Sequence, residues 1–141
     1  MARVEIIIPQ KEPLFQKSYT LRVSDMNYGN HLANEKVLAY AQQMRVDYLM
    51  SEGFSELDFF GESLIQADAA IHYMSEGFLG DRIEVKLYLG DVSRVSFDFV
   101  YDMMNTTTSK PLARLKTGMV CFDYKKRKVR PVPKAFLEKF N

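Results

Sequence analysis

Residues 24–34, SDMNYGNHLAN, place one carboxylate (Asp25), three carboxamides (Asn27, Asn30 and Asn34), a glycine and His31 directly in front of an apolar-periodic segment. An imidazole exchanges a proton near neutral pH, since histidine ordinarily titrates at about 6.5. A carboxylate can take a proton from water, whereas a carboxamide can only orient water or donate to a carbonyl. No serine or cysteine stands beside the loop in the setting of an activated nucleophile. Asp25, His31 and Glu35 are therefore the candidate proton acceptors, with Asn27 and Asn34 as candidate polar contacts. The same residue types also build ordinary structure. Asn, Asp and Gly make turns and helix N-caps, and a glutamate in a first helical turn complements the dipole.

The elements that must hold this loop can be read from periodicity. Residues 15–23 alternate, with Phe15, Lys17, Tyr19, Leu21 and Val23 on one face, as a strand does. After the loop, Val37, Ala41, Met44 and Tyr48 recur at helical spacing and Leu38 and Leu49 widen the stripe. Asn34 suits an N-cap and Gly53 the residue that ends the helix, giving about five turns. Residues 63–73, 82–89, 94–103 and 112–124 read as further strands, the last the most continuously apolar and so an interior one. Turn residues separate them at 76–81, 90–91 and 105–111. Residues 134–140 form a short amphipathic end after Pro131 and Pro133. One strand, one long helix and a run of strands gives an α+β fold, the helix lying on one sheet face.

At 141 residues the chain is read as one domain, 1–141, large enough to bury a core. Hydrophobic residues make up 47% and the formal net charge is +1, so neither disorder nor a nucleic-acid or acidic-membrane partner is expected. Cys121 is the only cysteine. It sits in an apolar run that suits a packed core thiol, and it excludes an intramolecular disulfide. The run at residues 4–8 is too short for a signal peptide or membrane span, which points to the cytoplasm. The Asn105-Thr-Thr sequon reads as a polar hairpin loop. His72 reads as a packing or surface residue, and no histidine–carboxylate spacing matches a metal site, so no metal is expected.

The order of these pieces resembles a known family. Asp25-Met-Asn27-Tyr-Gly-Asn-His31-Leu-Ala-Asn34 before a long helix, then IHYMSEGFLGDRIEV, SRVSFDFVYDM and LARLKTGMVCFDYKKRKVRPVPKAF, is similar to the hotdog-fold acyl-CoA thioesterases of the 4-hydroxybenzoyl-CoA thioesterase group. The resemblance spans residues 15–137. It implies an antiparallel sheet wrapped around one long helix, paired through sheet edges into a homodimer or homotetramer with active sites between subunits. It implies hydrolysis of an acyl-CoA or acyl-carrier-protein thioester, a small-molecule substrate of which coenzyme A is part, with no separate cofactor. The thioester carbonyl would lie at the helix N-terminus, its developing charge held by the backbone N–H of Asn34 or a neighbour.

Where the family carries its catalytic aspartate this chain has Asn27. The base is then Asp25, with Asn27 and His31 placing water and carbonyl around it, or His31 itself. Arg94, in the Arg-x-Ser-Phe stretch, is the position the resemblance favours for a coenzyme A phosphate. Lys128 and Arg130, in the basic run 125–130, are further contacts. Two alternatives share the loop. Hotdog hydratases carry Asp-x-Asn-Pro-x-His, but this chain lacks the proline and has one more residue before His31. A non-catalytic acyl-CoA-binding domain would account for Asn27.

Overall fold

The computed structural model describes residues 1–139; Phe140, the end of the expected C-terminal segment, lies outside them. The order is β1 (Phe15–Thr20), a 3-10 turn (Val23–Asp25), α1 (Asn34–Ser51), β2 (Ser63–Tyr73), β3 (Arg82–Val92), β4 (Ser96–Asn105), β5 (Lys110–Asp123), β6 (Lys128–Val129) and α2 (Lys134–Lys139). All strand pairs are antiparallel, in the sheet order β1-β3-β4-β5-β2, with β6 added to the far end of β5. β5 is interior, as its apolar run requires.

Strand alternation sends Ile83, Val85, Leu87 and Leu89 of β3 to one face with Phe97, Phe99, Tyr101 and Met103 of β4 and Ala113, Leu115 and Met119 of β5. The α1 stripe, Val37, Ala41, Met44 and Tyr48, is buried against that face. Tyr48 meets Phe99 edge-on with ring centroids 6.1 Å apart. Phe136 of α2 closes the end of this core against Phe59 and Phe97, at 4.8 and 5.1 Å. Each such fully buried side chain stabilises the fold by about 1.5–3 kcal/mol before entropy is counted. The opposite face is partly covered by the N-terminal arm, where Ile6 packs on Tyr88 and Val100.

α1 ends as its sequence indicates. Gly53 takes φ 79°, its N–H reaches Met50 O at 3.0 Å, and Phe54 N–H reaches Leu49 O at 2.7 Å. Its start differs from the expectation. The N-cap is Ala33 (φ −67°, ψ 143°) and Asn34 is already the first helical residue. Ala33 N–H is drawn to Asp25 O at 3.0 Å, which turns the chain into the helix one residue early. Alanine has no side chain with which to cap, so the N–H groups of Asn34 and Glu35 stay open, while Lys36 N–H bonds Ala33 O at 3.0 Å.

Strand boundaries also move: β3 runs on to Val92, β4 spans Ser96–Asn105 and β5 spans Lys110–Asp123. β1 stops at Thr20 because Leu21 plunges into the core and Arg22 begins the 3-10 turn, its N–H held by Asp25 Oδ2 at 2.8 Å. Arg94 is not in β4. Ser93 N–H bonds Ser96 O at 2.8 Å, closing a turn that leaves the Arg94 side chain exposed. Among the described residues no helix is long and apolar enough to cross a membrane.

Candidate active site at the N-terminus of the long helix

The loop before α1 is a tight turn organised by one carboxamide. Asn27 Oδ1 accepts the backbone N–H of Gly29 at 2.9 Å and of His31 at 3.3 Å. The Asn27 backbone bonds His31 O (2.9 Å) and accepts Asn30 N–H (3.0 Å), with Asn30 at φ 64°, a left-handed geometry that asparagine tolerates. Gly29 sits against the imidazole, so a Cβ there would stand 3.2 Å from His31 Nε2. Asn27 thus fixes the backbone on which His31 is mounted.

Asp25 is buried at 6% exposure and is occupied. Its carboxylate takes the Arg22 N–H and the Tyr40 hydroxyl, and its carbonyl takes Ala33 N–H. Burial, and then the bond to Asp25, push the Tyr40 phenol up to about 12, with Arg22 pulling the other way. Asp25 and Tyr40 line a hollow of about 400 Å³ with Tyr19, Arg22, Lys36 and Asp47. His31 lines a different one. Asp25, expected to act with His31 and Asn27 around one water, does not share a hollow with His31, because the 3-10 turn and Tyr40 hold its carboxylate in the first one.

The second hollow, of about 270 Å³, lies where α1 begins and is lined by His31, Asn34, Tyr73, Ser75, Glu76, Gly77 and Leu112 among others. It is assembled by long-range register: Leu32 N–H bonds Gly77 O at 2.7 Å, and Tyr73 donates its hydroxyl to Asn34 O at 3.2 Å. No hydrogen bond among the described residues uses the backbone N–H of Asn34 or Glu35. Those N–H groups, at the positive end of an 18-residue helix, can receive a carbonyl oxygen as it gains charge. Glu35 is exposed in the first turn and does not line the hollow. Local sequence marks Glu76 only as a turn residue. Its place beside His31 follows from the Leu32–Gly77 pairing, which no periodicity reveals.

The basic residues lie at the other end of the sheet. Arg94 and Arg130 flank Cys121, whose N–H bonds Val95 O and whose carbonyl accepts Arg130 N–H. Leu112, at the His31 hollow, is nine residues along β5 from Cys121, about 30 Å away. Lys128 is exposed in β6, and Arg130 pairs with Glu62 at 3.4 Å. Within one chain none of the three joins His31. His72 is half-buried on β2 beside the N-terminal arm and outside the hollow. Cys121 is fully buried, which pushes its thiol up to about 11. Asn105 of the sequon is buried too, its amide spent on Asp81, Thr107 and Thr108.

Comparison with known proteins agrees with the fold. Among proteins of curated function none matches the chain in sequence. Solved structures do match. A 1,4-dihydroxy-2-naphthoyl-CoA thioesterase from Synechocystis superposes with TM-score 0.78 at 22% identity, over 87% of this chain and 92% of that one. A DHNA-CoA thioesterase from Staphylococcus aureus gives 0.75 at 17%, over 88% and 84%. A 12:0-ACP thioesterase from Umbellularia californica gives 0.75 at 15%, over 88% of this chain and 48% of that one. At such identities the likeness shows a shared fold, the hotdog arrangement of one long helix and an antiparallel sheet. The sequence model of the thioesterase-like superfamily matches residues 21–140. The chain belongs to the thioesterase-like superfamily.

Proposed function

We propose that the protein hydrolyses an acyl-CoA or acyl-carrier-protein thioester to the free acid and thiol in the His31 hollow. The observation that carries this is the start of α1, where the N–H groups of Asn34 and Glu35 are unused and Asn34 lines the same hollow as His31. The thioester carbonyl oxygen accepts the Asn34 N–H, where the helix dipole stabilises the oxyanion formed as water attacks. His31 orients that water. Asn27 and Asp25 are positioning residues, the first through the turn that carries His31 and the second through its backbone bond to Ala33.

The coenzyme A end of the substrate calls for a second copy of the chain. Among the described residues β2 is bonded only to β5, so its outer edge offers unpaired backbone groups. Antiparallel pairing of two such edges about a twofold axis sets the Ser63 end of one β2 beside the Tyr73 end of the other. Arg94, Lys128 and Arg130 of one copy then approach the His31 hollow of the other and supply the positive charge that phosphates need.

Incubating the purified chain with a panel of acyl-CoAs and reading free thiol tests the activity. Thiol release from at least one member is expected. Hydration of an enoyl-CoA without thiol, or tight binding without turnover, would overturn the proposal in favour of a hydratase or a binding domain.

A further inference from the structure

We infer that Glu76, in the segment between β2 and β3, is the carboxylate that takes the proton from the attacking water; this rests on the thioesterase reading above. A thioester hydrolase working at neutral pH needs such a group, and Asn27, at the position where the family resemblance places an aspartate, cannot serve. Asp25 is spoken for by Arg22 and Tyr40 in the other hollow. Of the residues that line the His31 hollow, Glu76 is the one acidic side chain.

Its mounting is firm while its carboxylate is free. Met74 and Ser75 both donate backbone N–H groups to Leu112 O, at 2.9 and 3.2 Å, and Ser75 Oγ bonds Pro111 O at 2.6 Å. Gly77 bonds Leu32 through its carbonyl and is packed so closely that an added Cβ would lie 2.8 Å from Leu21 Cδ1. The backbone before Glu76 is therefore pinned to β5, and the backbone after it to Leu32, the residue next to His31. By contrast, the Glu76 side chain makes no hydrogen bond or ion pair among the described residues. Glu76 is exposed, so an anchored backbone carries a carboxylate that is free to accept a proton at the rim of the hollow.

In the step, Glu76 removes one proton from water as the water oxygen bonds the thioester carbon. The carbonyl electrons move to the oxygen held by Asn34 N–H. Collapse of that intermediate breaks the carbon–sulfur bond, and the proton on Glu76 passes to the departing thiolate. Acid and thiol leave, water is consumed, and the carboxylate is regenerated.

Glu76→Gln keeps the shape and removes the base, so kcat should fall about 100- to 10,000-fold with the melting temperature and the affinity for a non-hydrolysable acyl-CoA thioether unchanged. The acid limb of the kcat–pH profile should vanish with it, a change that a structural role would not cause. Glu76→Asp, which keeps the charge on a shorter stem, should recover part of the rate. Thiol release by Glu76→Gln within a few-fold of the parent overturns the inference while leaving the thioesterase reading intact. So does a large kcat loss confined to Asp25→Asn. Absence of turnover by the unaltered protein overturns both.

Discussion

Asn27 and Tyr40 carry the opening turn of the site in different ways. Asn27 Oδ1 is an acceptor for two backbone N–H groups, Gly29 and His31. Asn27→Ala should strand both and lower stability by about 1 kcal/mol, visible as a shifted denaturation midpoint, with turnover falling as His31 loosens. Asn27→Asp keeps an acceptor there and should leave turnover equal or higher; a lower rate would contradict the positioning role. Tyr40 is pushed up to about 12 by burial and by its bond to Asp25. A phenol whose pKa rises on folding adds stability that is full below its unfolded value of about 10 and lost as pH rises through the folded one. Between those limits the parent should lose melting temperature faster than Tyr40→Phe. Parallel melting curves across that range would show that Tyr40 is not linked to folding.

At the scale of elements, much was legible in advance because strands and helices advertise their buried faces. The odd positions of β3 and β4 and the Val37–Ala41–Met44–Tyr48 stripe point inward as their alternation and helical spacing require. The boundary and pairing details were not. Asn34 has every property of an N-cap, yet a tertiary bond between Ala33 and Asp25 moves the helix start. Arg45 is charged and still 3% exposed, because Glu56, Gln66 and Tyr101, all distant in sequence, surround its guanidinium. Asp25 and His31 are six residues apart but line separate hollows, since a 3-10 turn and a tight loop intervene. Gly77 is the element-level joint of the His31 hollow. Gly77→Ala would press a methyl into Leu21 and Leu32, both buried. It should cost about 1–3 kcal/mol by thermal unfolding and lower kcat more than Glu35→Ala does. An unchanged melting temperature would mean that the contact yields freely.

Among the described residues β1 and β2 are the outer strands of the five-strand path, and Arg94, Lys128 and Arg130 lie far along β5 from the hollow they would serve. The proposed homodimer through β2 would cover the β2 edge and bring the basic residues of one copy to the hollow of the other. Sedimentation at micromolar concentration should give a stable dimer, and a folded monomer there would remove the shared-site arrangement. In that proposed dimer each copy would combine its own helix start with charge from the other. The most direct trial is steady-state thiol release from an acyl-CoA by the parent and His31→Ala side by side, with free acid quantified in the same samples. Acid and thiol should appear in equal amounts from the parent. The variant, folded and dimeric, should be slower by about 100-fold. No thiol from the parent, or equal rates from the two proteins, would contradict thioester hydrolysis at the His31 hollow.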